Sequence, residues 1–208
     1  MRTAEQEHHL IAAVRERVTA FFGEFPAPAH GIEHVARVAT YAKRIAHSEG
    51  AASPFLCELA GLLHDIGRVP EHFEKKSGGH HELSYQLLQE WFREGFLDND
   101  LTEEEKKELL YAVRYHWNNV ADDYESAWIL RDADKLDSFG TIGIERMEEF
   151  FGTDNHEGIN QNLRNVFDMH YWVRTAAAKK IMEEDELMEP IEAYYKEFLA
   201  KKISPISL

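Results

Sequence analysis

Apolar residues recur three and four positions apart along almost the whole of this chain, which is the spacing of one face of an α-helix. No run of convincing length alternates apolar and polar residues, as a half-buried β-strand would. Proline and glycine fall mainly between the segments with helical spacing. The pattern therefore predicts an all-α protein, a bundle of helices packed around one core with no sheet.

Helices are predicted at residues 3–22, 33–49, 54–66, 81–94, 103–117, 124–139, 141–151, 158–184 and 187–202. Two of their starts carry recognisable signals. Ser53 followed by Pro54 fits an N-cap with proline at the first helical position, and Thr102 with Glu105 fits a capping box. The segment 69–80 is predicted to be a loop that can border an opening.

The length of 208 residues fits one domain, and no linker-like stretch of Pro, Gly or Ser divides the chain. We therefore expect a single domain over residues 1–208, with one shared helical core. The C-terminal helices within 158–208 should pack on that core. Tyr171 and Trp172 are expected to be packing residues of these helices rather than a stacking platform for bases.

The net charge of −15 constrains the possible partners. A surface of this sign repels phosphate backbones and anionic lipid, so we expect neither a nucleic-acid polymer nor a membrane as partner. If the substrate is an anion, a bound metal ion can reverse the local field with few residues.

The first residues contain no apolar core of signal-peptide length, and no run approaches the roughly 20 apolar residues of a membrane span. The sequence has one cysteine, Cys57, and so allows no internal disulfide. We expect a soluble cytoplasmic protein, and the sequence leaves its oligomeric state open.

Histidines and aspartates lie on the apolar faces of separate predicted helices, where buried groups are expected. These residues are His34, His64 with Asp65, His81, His116, and Asp134 with Asp137. A lone histidine on such a face is usually a core residue bonded to the backbone. Each buried polar group without a partner costs about 1 to 3 kcal/mol, so a set of this size needs either mutual contacts or an ion.

Imidazole and carboxylate groups are ligands for divalent manganese, iron, cobalt, nickel and zinc, whereas magnesium prefers oxygen alone. The set is too large for one tetrahedral zinc. Two ions bridged by one carboxylate would use it, and such a pair can activate a water and stabilise charge on a phosphoryl oxygen. The sequence therefore predicts a divalent metal centre with two ions.

The motifs that carry these residues resemble a known family. His30-Gly-Ile-Glu-His34, then Leu62-Leu63-His64-Asp65-Ile66-Gly67-Arg68, then Arg131-Asp132-Ala-Asp134-Lys135-Leu136-Asp137 look like the HD-domain metal-dependent phosphohydrolases. The resemblance covers about residues 25–150 and is closest to small stand-alone bacterial HD proteins, some of which are nucleotide pyrophosphohydrolases. It implies an HD-type helical bundle.

The resemblance also implies a ligand set. The metal ligands it implies are His34, His64, Asp65 and Asp134, with His81 and His116 for a second ion. Either His80 or His81 could be the histidine that is turned inward. We favour His81 as the ligand, because it is the first residue of the apolar stripe of its helix. His80 is then expected to lie next to the ligands and support them without binding the ion.

The expected activity is hydrolysis of a phosphate ester or anhydride of a small molecule, with a nucleotide as the expected class. Asp65 would bridge the ions, and Arg68 would bind a phosphate oxygen, since a guanidinium can bind two oxygens at once. Further candidates for substrate binding are Lys75, Lys76, Lys135 and Arg146. Asp137 would either orient a ligand histidine or pair with a nearby Arg or Lys.

Two other functions fit the same residues. A di-iron oxygenase uses imidazole and carboxylate ligands too, and some members of the wider HD group are such enzymes. A regulatory bundle with a structural metal would need no open coordination position, whereas a catalytic site needs one beside a pocket.

Overall fold

The computed structural model describes residues 2–23, 29–74 and 79–203 of the chain. The helices are α1 Ala4–Phe22, α2 Ile32–Glu49, α3 Pro54–Leu63, α4 Arg68–Glu74, α5 His80–Arg93, α6 Glu103–Tyr115, α7 Glu125–Leu136, α8 Gly140–Phe151, α9 His156–Trp172, α10 Ala176–Glu184 and α11 Met188–Ile203. Over the described ranges the structure is helical and contains no strand, which confirms the all-α prediction.

The core forms where α2 packs against α3 and α7. The apolar stripe of α2, with Val35, Val38 and Ile45, is fully buried there, and nearly every residue of α3 is buried on all sides. Gly61 lets α3 approach α2 closely, since a Cβ at Gly61 would stand 2.4 Å from the Cα of Ala39. Helices α2 and α3 are therefore held in direct backbone contact.

The two predicted helix starts are confirmed. The Ser53 hydroxyl accepts the backbone N–H of Leu56 (3.2 Å), with Pro54 as the first residue of α3. At the start of α6, Thr102 and Glu105 form both bonds of a capping box.

Helix α3 ends earlier than predicted, and a short helix follows it. The chain turns at residues 64–67, and α4 then occupies Arg68–Glu74, so the prediction of a loop is wrong for residues 69–74. Gly67 is needed at this turn, because a Cβ there would lie 2.1 Å from the His80 carbonyl oxygen. The turn can thus pack directly under the start of α5.

The predicted helix 158–184 is divided at residues 173–175 into α9 and α10. The buried carboxylate of Asp132 on α7 accepts the backbone N–H groups of Arg174 (2.9 Å) and Thr175 (2.7 Å). The Thr175 hydroxyl then caps α10 by accepting the N–H of Ala178 (3.1 Å). A contact across more than forty residues of sequence therefore replaces the helical hydrogen bonds.

The C-terminal helices contact the HD-like part of the chain. Helix α10 packs on α2 and α7, and α8 contacts α9 and α11. Val166 and Ile181 join the same core of buried residues as the side chains of α2. Within the described ranges, no helix has both the length and the apolar character needed to cross a lipid bilayer.

Candidate metal centre

Five segments place His and Asp side chains at one point in the core. His34 comes from the first turn of α2, and Asp134 comes from α7. His64 and Asp65 lie in the turn after α3, His80 begins α5, and His116 follows the last residue of α6. Helix ends supply most of these side chains, which places them close to the connections between helices. The cluster formed by His34, His64, Asp65, His80, His116 and Asp134 is called the metal centre below.

Asp65 lies in the middle of this centre, and its two oxygens face different histidines. Oδ2 is 3.8 Å from Nε2 of His34 and 3.9 Å from Nε2 of His64. Oδ1 is 3.4 Å from Nε2 of His80 and 3.7 Å from Nε2 of His116. One carboxylate thus belongs to two separate groups of nitrogen donors.

Asp134 adds a carboxylate to the group that contains His34 and His64. Its Oδ1 lies 3.4 Å from Nε2 of His34 and 3.8 Å from Nε2 of His64. The Asp134 side chain is 34% exposed, whereas that of Asp65 is 3% exposed. The centre is therefore closed around Asp65 and open to solvent beside Asp134.

Hydrogen bonds on the far side of three rings fix which nitrogen faces the centre. Nδ1–H of His34 donates to Asp137 Oδ2 (2.7 Å), that of His64 to the Gly61 carbonyl (2.9 Å), and that of His116 to the Val113 carbonyl (2.7 Å). A carbonyl or carboxylate oxygen can only accept, so Nδ1 carries the proton in each neutral ring. The Nε2 lone pairs therefore point at Asp65 and Asp134.

The donor set fits a divalent ion. Nε2 of His64 and Oδ1 of Asp65 are buried and have no hydrogen-bond partner in the described structure, a cost of about 1 to 3 kcal/mol each that a bound cation removes. Ligand atoms of His34, His64 and Asp65, and separately of Asp65, His80 and His116, lie within 4.8 Å of one another. The two groups share Asp65, so the chain has two adjacent sets of side chains of the kind that can hold a divalent ion.

The pKa values of the centre favour ligand protonation states at neutral pH. Burial lowers the pKa of His34, lowers that of His116 to about 4 and lowers that of His80 to about 3. Burial alone would raise the pKa of Asp65, but the neighbouring His64 and Arg68 hold it well below its ordinary value. Neutral imidazoles and ionised carboxylates are the forms that bind a metal.

These pKa values predict that acid destabilises the metal-free protein. An unfolded histidine binds a proton below a pKa of 6.5, whereas folded His116 resists protonation down to about pH 4. Stability should therefore fall as pH drops from 6.5 to 4, by about 1.4 kcal/mol per pH unit for each such histidine. Urea unfolding of chelator-treated protein at pH 7, 6 and 5 measures this slope, and His116→Gln should reduce it. An identical slope in that variant would contradict the assignment.

The structure corrects the choice of His81. His80, and not His81, lies beside Asp65 and His116, and Nε2 of His80 is 3.3 Å from Nε2 of His116. The ring of His81 instead folds back over Gly79 and packs on Trp117, with 5.1 Å between ring centroids. His80 therefore takes the place expected for His81, and His81 lies outside the centre.

The physical reason is a one-residue rotation of the buried face of α5. The buried stripe of this helix runs through Ser84, Leu88 and Trp91, and its preceding member is His80. Ser84 belongs to this face because its hydroxyl accepts the N–H of Gly67 (2.8 Å). Because Ser84 is polar, the spacing of apolar residues alone does not identify this face of α5 as the buried one.

Arg68 and Arg146 reach a cavity of about 260 Å³ next to the centre. Nε of Arg68 lies 3.4 Å from Asp65 Oδ2, and His30, which also lines the cavity, has its ring centroid 5.8 Å from that of His34. The exposed ring of Phe150 borders the cavity as well. Two guanidinium groups beside the centre give this cavity a positive lining in an acidic chain.

Asp137 is buried and holds three cationic or hydrogen-donating groups. Its carboxylate accepts hydrogen bonds from Nδ1 of His34, from Nε of Arg37 (2.5 Å) and from Nη1 of Arg146 (2.8 Å). Both alternatives for Asp137 are therefore present at once, because it contacts a histidine of the centre and pairs with arginines. Arg146 also donates to the Ala29 carbonyl (2.8 Å), which fixes it at the cavity wall.

Lys135, another of the predicted substrate-binding cations, lies elsewhere. Lys135 is not among the residues that line the cavity at Arg68; it lines a separate cleft with Trp128 and Arg131. Its position on α7 turns it away from the face of Asp134, so its expected role beside the metal centre is not supported. Lys75 and Lys76 lie outside the described residues.

The sequence patterns gave no signal for Phe150 or Ser84. Phe150 precedes Phe151, the last residue of α8, and only the folded chain shows that the Phe150 ring stays exposed while Phe151 packs against the core. Ser84 positions the turn at Gly67 and thereby the start of α5.

A model of the HD domain family matches residues 31–138, about half of the chain. This span includes the whole metal centre, from His34 to Asp134. The chain belongs to the HD domain family. Its HD motif is the His64-Asp65 pair, whose two side chains face the common centre described above.

Solved structures share the HD fold over most of this chain. YpgQ of Bacillus subtilis, solved in complex with ADP, is 20% identical with a TM-score of 0.73, covering 98% of this chain and 100% of that one. An HD-superfamily hydrolase of Bacillus thuringiensis is 21% identical with a TM-score of 0.66, covering 96% and 100%. A predicted HD-superfamily hydrolase from an uncultured Thermotogales bacterium is 25% identical with a TM-score of 0.55, covering 79% and 88%. The chain thus has the fold of HD-superfamily hydrolases.

A curated relative from Methanocaldococcus jannaschii shares part of the sequence. It is described as the CRISPR system single-strand-specific deoxyribonuclease Cas10/Csm1 of subtype III-A, and it is 35% identical over 116 residues. The match covers 53% of this HD protein but 14% of that relative. The likeness is therefore to one part of a much longer protein.

Proposed function

We propose that this HD protein is a metal-dependent phosphohydrolase that cleaves a phosphate ester or anhydride of a small molecule. The observation that carries the proposal is the position of Asp65, whose two oxygens face separate pairs of histidine nitrogens. One carboxylate between two donor groups suits a pair of divalent ions, and paired ions are typical of enzymes that transfer phosphoryl groups to water. When bound, the ions would supply an activated water and a positive field for the phosphoryl oxygens.

The side chains of the centre would each have a defined task. His34, His64 and Asp134 would hold one ion, and His80 and His116 the other, with Asp65 in contact with both. Asp137 would keep the Nε2 lone pair of His34 aimed inward, because it binds the opposite ring nitrogen. The exposed edge at Asp134 leaves room for substrate beside the ligands.

Arg68 and Arg146 would bind the phosphate oxygens of the substrate. Both line the cavity next to the centre, and a guanidinium can donate two hydrogen bonds to one phosphate. Glu71 (3.1 Å) holds Arg68, and Asp137 holds Arg146, so both cations are fixed in place before substrate arrives. Fixed donors cost less reorganisation on binding than mobile surface lysines.

A nucleotide is the substrate class that we propose. The cavity of about 260 Å³ has room for a phosphate group and part of a sugar, and the exposed Phe150 ring at its edge offers a surface for a base. The structural neighbour YpgQ was solved with ADP, which makes ADP a suitable first compound to test.

A substrate screen against protein reloaded with single metals tests the proposal. Apo-protein would receive manganese, iron, cobalt, nickel, zinc or magnesium. Phosphate or pyrophosphate release would be measured from nucleotides and simple phosphate esters, and strand cleavage would be measured with single-stranded DNA. We expect release from a small molecule with a transition metal. Oxygen consumption would identify the di-iron oxygenase instead, and cleavage of DNA alone would favour a nuclease like the relative from M. jannaschii. Metal binding without turnover of any compound would support a regulatory bundle.

A matched pair of variants tests the second ion position. His80→Ala should lose one of two bound ions, because its Nε2 lies 3.4 Å from Asp65 Oδ1. His81→Ala, a change at the neighbouring position, should keep both, because the His81 ring packs on Trp117. Metal content per chain by plasma mass spectrometry distinguishes them. Loss of an ion from His81→Ala alone would overturn the placement of His80.

A further inference from the structure

A second cleft, of about 400 Å³, lies between α7, the segment after α6 and the turn between α9 and α10. The residues that line it are Asn119, Val120, Asp122, Trp128, Arg131, Asp132, Lys135, Tyr171, Trp172, Val173, Arg174 and Lys179. The side chains of the metal centre are not among them. Its volume falls in the range of about 300 to 1,000 Å³ that is typical of small-molecule sites.

This cleft collects positive charge in a chain whose net charge is −15. Its basic lining residues are Arg131, Lys135, Arg174 and Lys179, and its acidic ones are Asp122 and Asp132. Asp122 is shared between Arg131 (2.8 Å) and Arg174 (2.5 Å), so it compensates two cations at once. The cleft therefore keeps an excess of positive charge that an anionic ligand would neutralise.

Lys135 and Arg131 are both buried cations of the cleft, and Lys135 is the less well compensated of the two. It is 8% exposed, and its ammonium lies 3.4 Å from the Arg131 carbonyl and 3.9 Å from Asp132 Oδ1. The Asp132 carboxylate is already occupied by the backbone N–H groups of Arg174 and Thr175. An ammonium has three protons to donate, so Lys135 keeps donor capacity for a ligand.

Aromatic rings line the same cleft. Trp172 is 56% exposed and Tyr171 is 83% exposed, so the expectation that they are packing residues is wrong. They are exposed because α9 ends at Trp172, where Asp132 draws the next residues towards α7. The guanidinium of Arg174 lies 5.4 Å from the ring centroid of Trp128. Exposed rings beside cations are the groups that stack on a base and bind its phosphates.

We propose that this cleft binds a nucleoside phosphate, at a site separate from the metal centre. The phosphate would lie against Lys135 and Lys179, and the base would stack on Trp172. Lys179 is exposed, and no ion pair of its side chain is found in residues 2–23, 29–74 and 79–203, so it is available to the ligand. The proposal does not depend on the metal centre being catalytic.

Calorimetric titration of the full-length, chelator-treated protein with ADP tests this proposal. Removing metal weakens any binding at the metal centre, and the residues changed in the variants line the cleft but not the cavity beside that centre, so a loss of affinity in them reports on the cleft. Trp172→Ala should weaken ADP binding by about five-fold or more, because it removes the ring on which the base stacks. Lys179→Gln should weaken it by about the same factor, because it removes a cation beside the phosphates. Lys180→Gln is the matched control, because Lys180 lies next in sequence but lines a different groove and pairs with Glu184 (3.5 Å). It should leave the affinity unchanged.

The ligand requirement is tested with two partial probes. Adenosine and pyrophosphate should each bind more weakly than ADP, because each lacks one half of the recognition. Equal binding of pyrophosphate and ADP would overturn the role of the ring. Unchanged ADP affinity in both Trp172→Ala and Lys179→Gln, or ADP binding that requires added metal, would overturn the site itself. If Trp172→Ala changes the molar mass in solution measured by light scattering but leaves the ADP affinity unchanged, the surface at Trp172 would instead be a contact between copies of the chain.

Discussion

Replacing Asp65 with Asn is expected to lower phosphate hydrolysis by about 10³-fold or more, which corresponds to about 4 kcal/mol of transition-state stabilisation. The amide keeps the shape of the carboxylate but has a single acceptor oxygen and no charge. It can face the group with His34 and His64 or the group with His80 and His116, but not both. We therefore also expect at most one ion per chain. Phosphate release and metal content measure the two effects.

Asp154→Asn is the matched control for this prediction. It makes the same change of side chain, but Asp154 lies on an exposed turn far in sequence from His64 and Asp65. It should have wild-type activity and metal content. Both variants should keep their helical circular dichroism, because Asp65 lies in a turn between α3 and α4 rather than within a helix. An Asp65→Asn protein that retains two ions and more than a tenth of the activity would exclude Asp65 as the shared ligand.

Gly61→Ala is expected to destabilise the protein, although alanine is the better helix former. Propensity alone would favour alanine by about 1 kcal/mol. The added Cβ would lie 2.4 Å from Cα and 2.7 Å from N of Ala39, and backbone atoms of α2 cannot rotate away. Overpacking of a core typically costs about 1 to 3 kcal/mol. Urea unfolding of the wild type and the variant gives the difference in the free energy of unfolding.

The double variant Gly61→Ala/Ala39→Gly separates a backbone clash from a side-chain clash. Removing the Ala39 methyl group relieves its contact at 3.1 Å but leaves the closer contacts with Cα and N. The double variant should therefore remain destabilised. An increase in stability in Gly61→Ala, or full recovery in the double variant, would show that α2 and α3 are not held at this separation. Any shift would also separate His34 from His64, so metal content should fall with stability.

The sequence predicts the parts of this molecule that depend on local rules. Helical spacing predicts the fold class, and the caps at Ser53 and Thr102 predict where two helices begin, because both signals act within a few residues. Apolar spacing places His34, His64 and Asp134 on the inward faces of helices, and the structure brings them together with Asp65. Their role as metal ligands stays a prediction that metal analysis can test.

Features that depend on contacts between residues distant in sequence could not be predicted from the sequence. The division between α9 and α10 rests on Asp132, which is remote in sequence from Thr175. The choice between His80 and His81 rests on the rotation of α5, which the hydrogen bond between Gly67 and Ser84 sets. Neither contact produces a periodic pattern in the sequence, so the spacing of apolar residues could not predict it.

The most direct test of the account is anomalous X-ray diffraction from crystals of the protein loaded with manganese. We predict two manganese peaks per chain on opposite sides of the Asp65 carboxylate, one at His34 and His64 and the other at His80 and His116. A single peak, or peaks that do not contact Asp65, would contradict the claim that this carboxylate holds two ions.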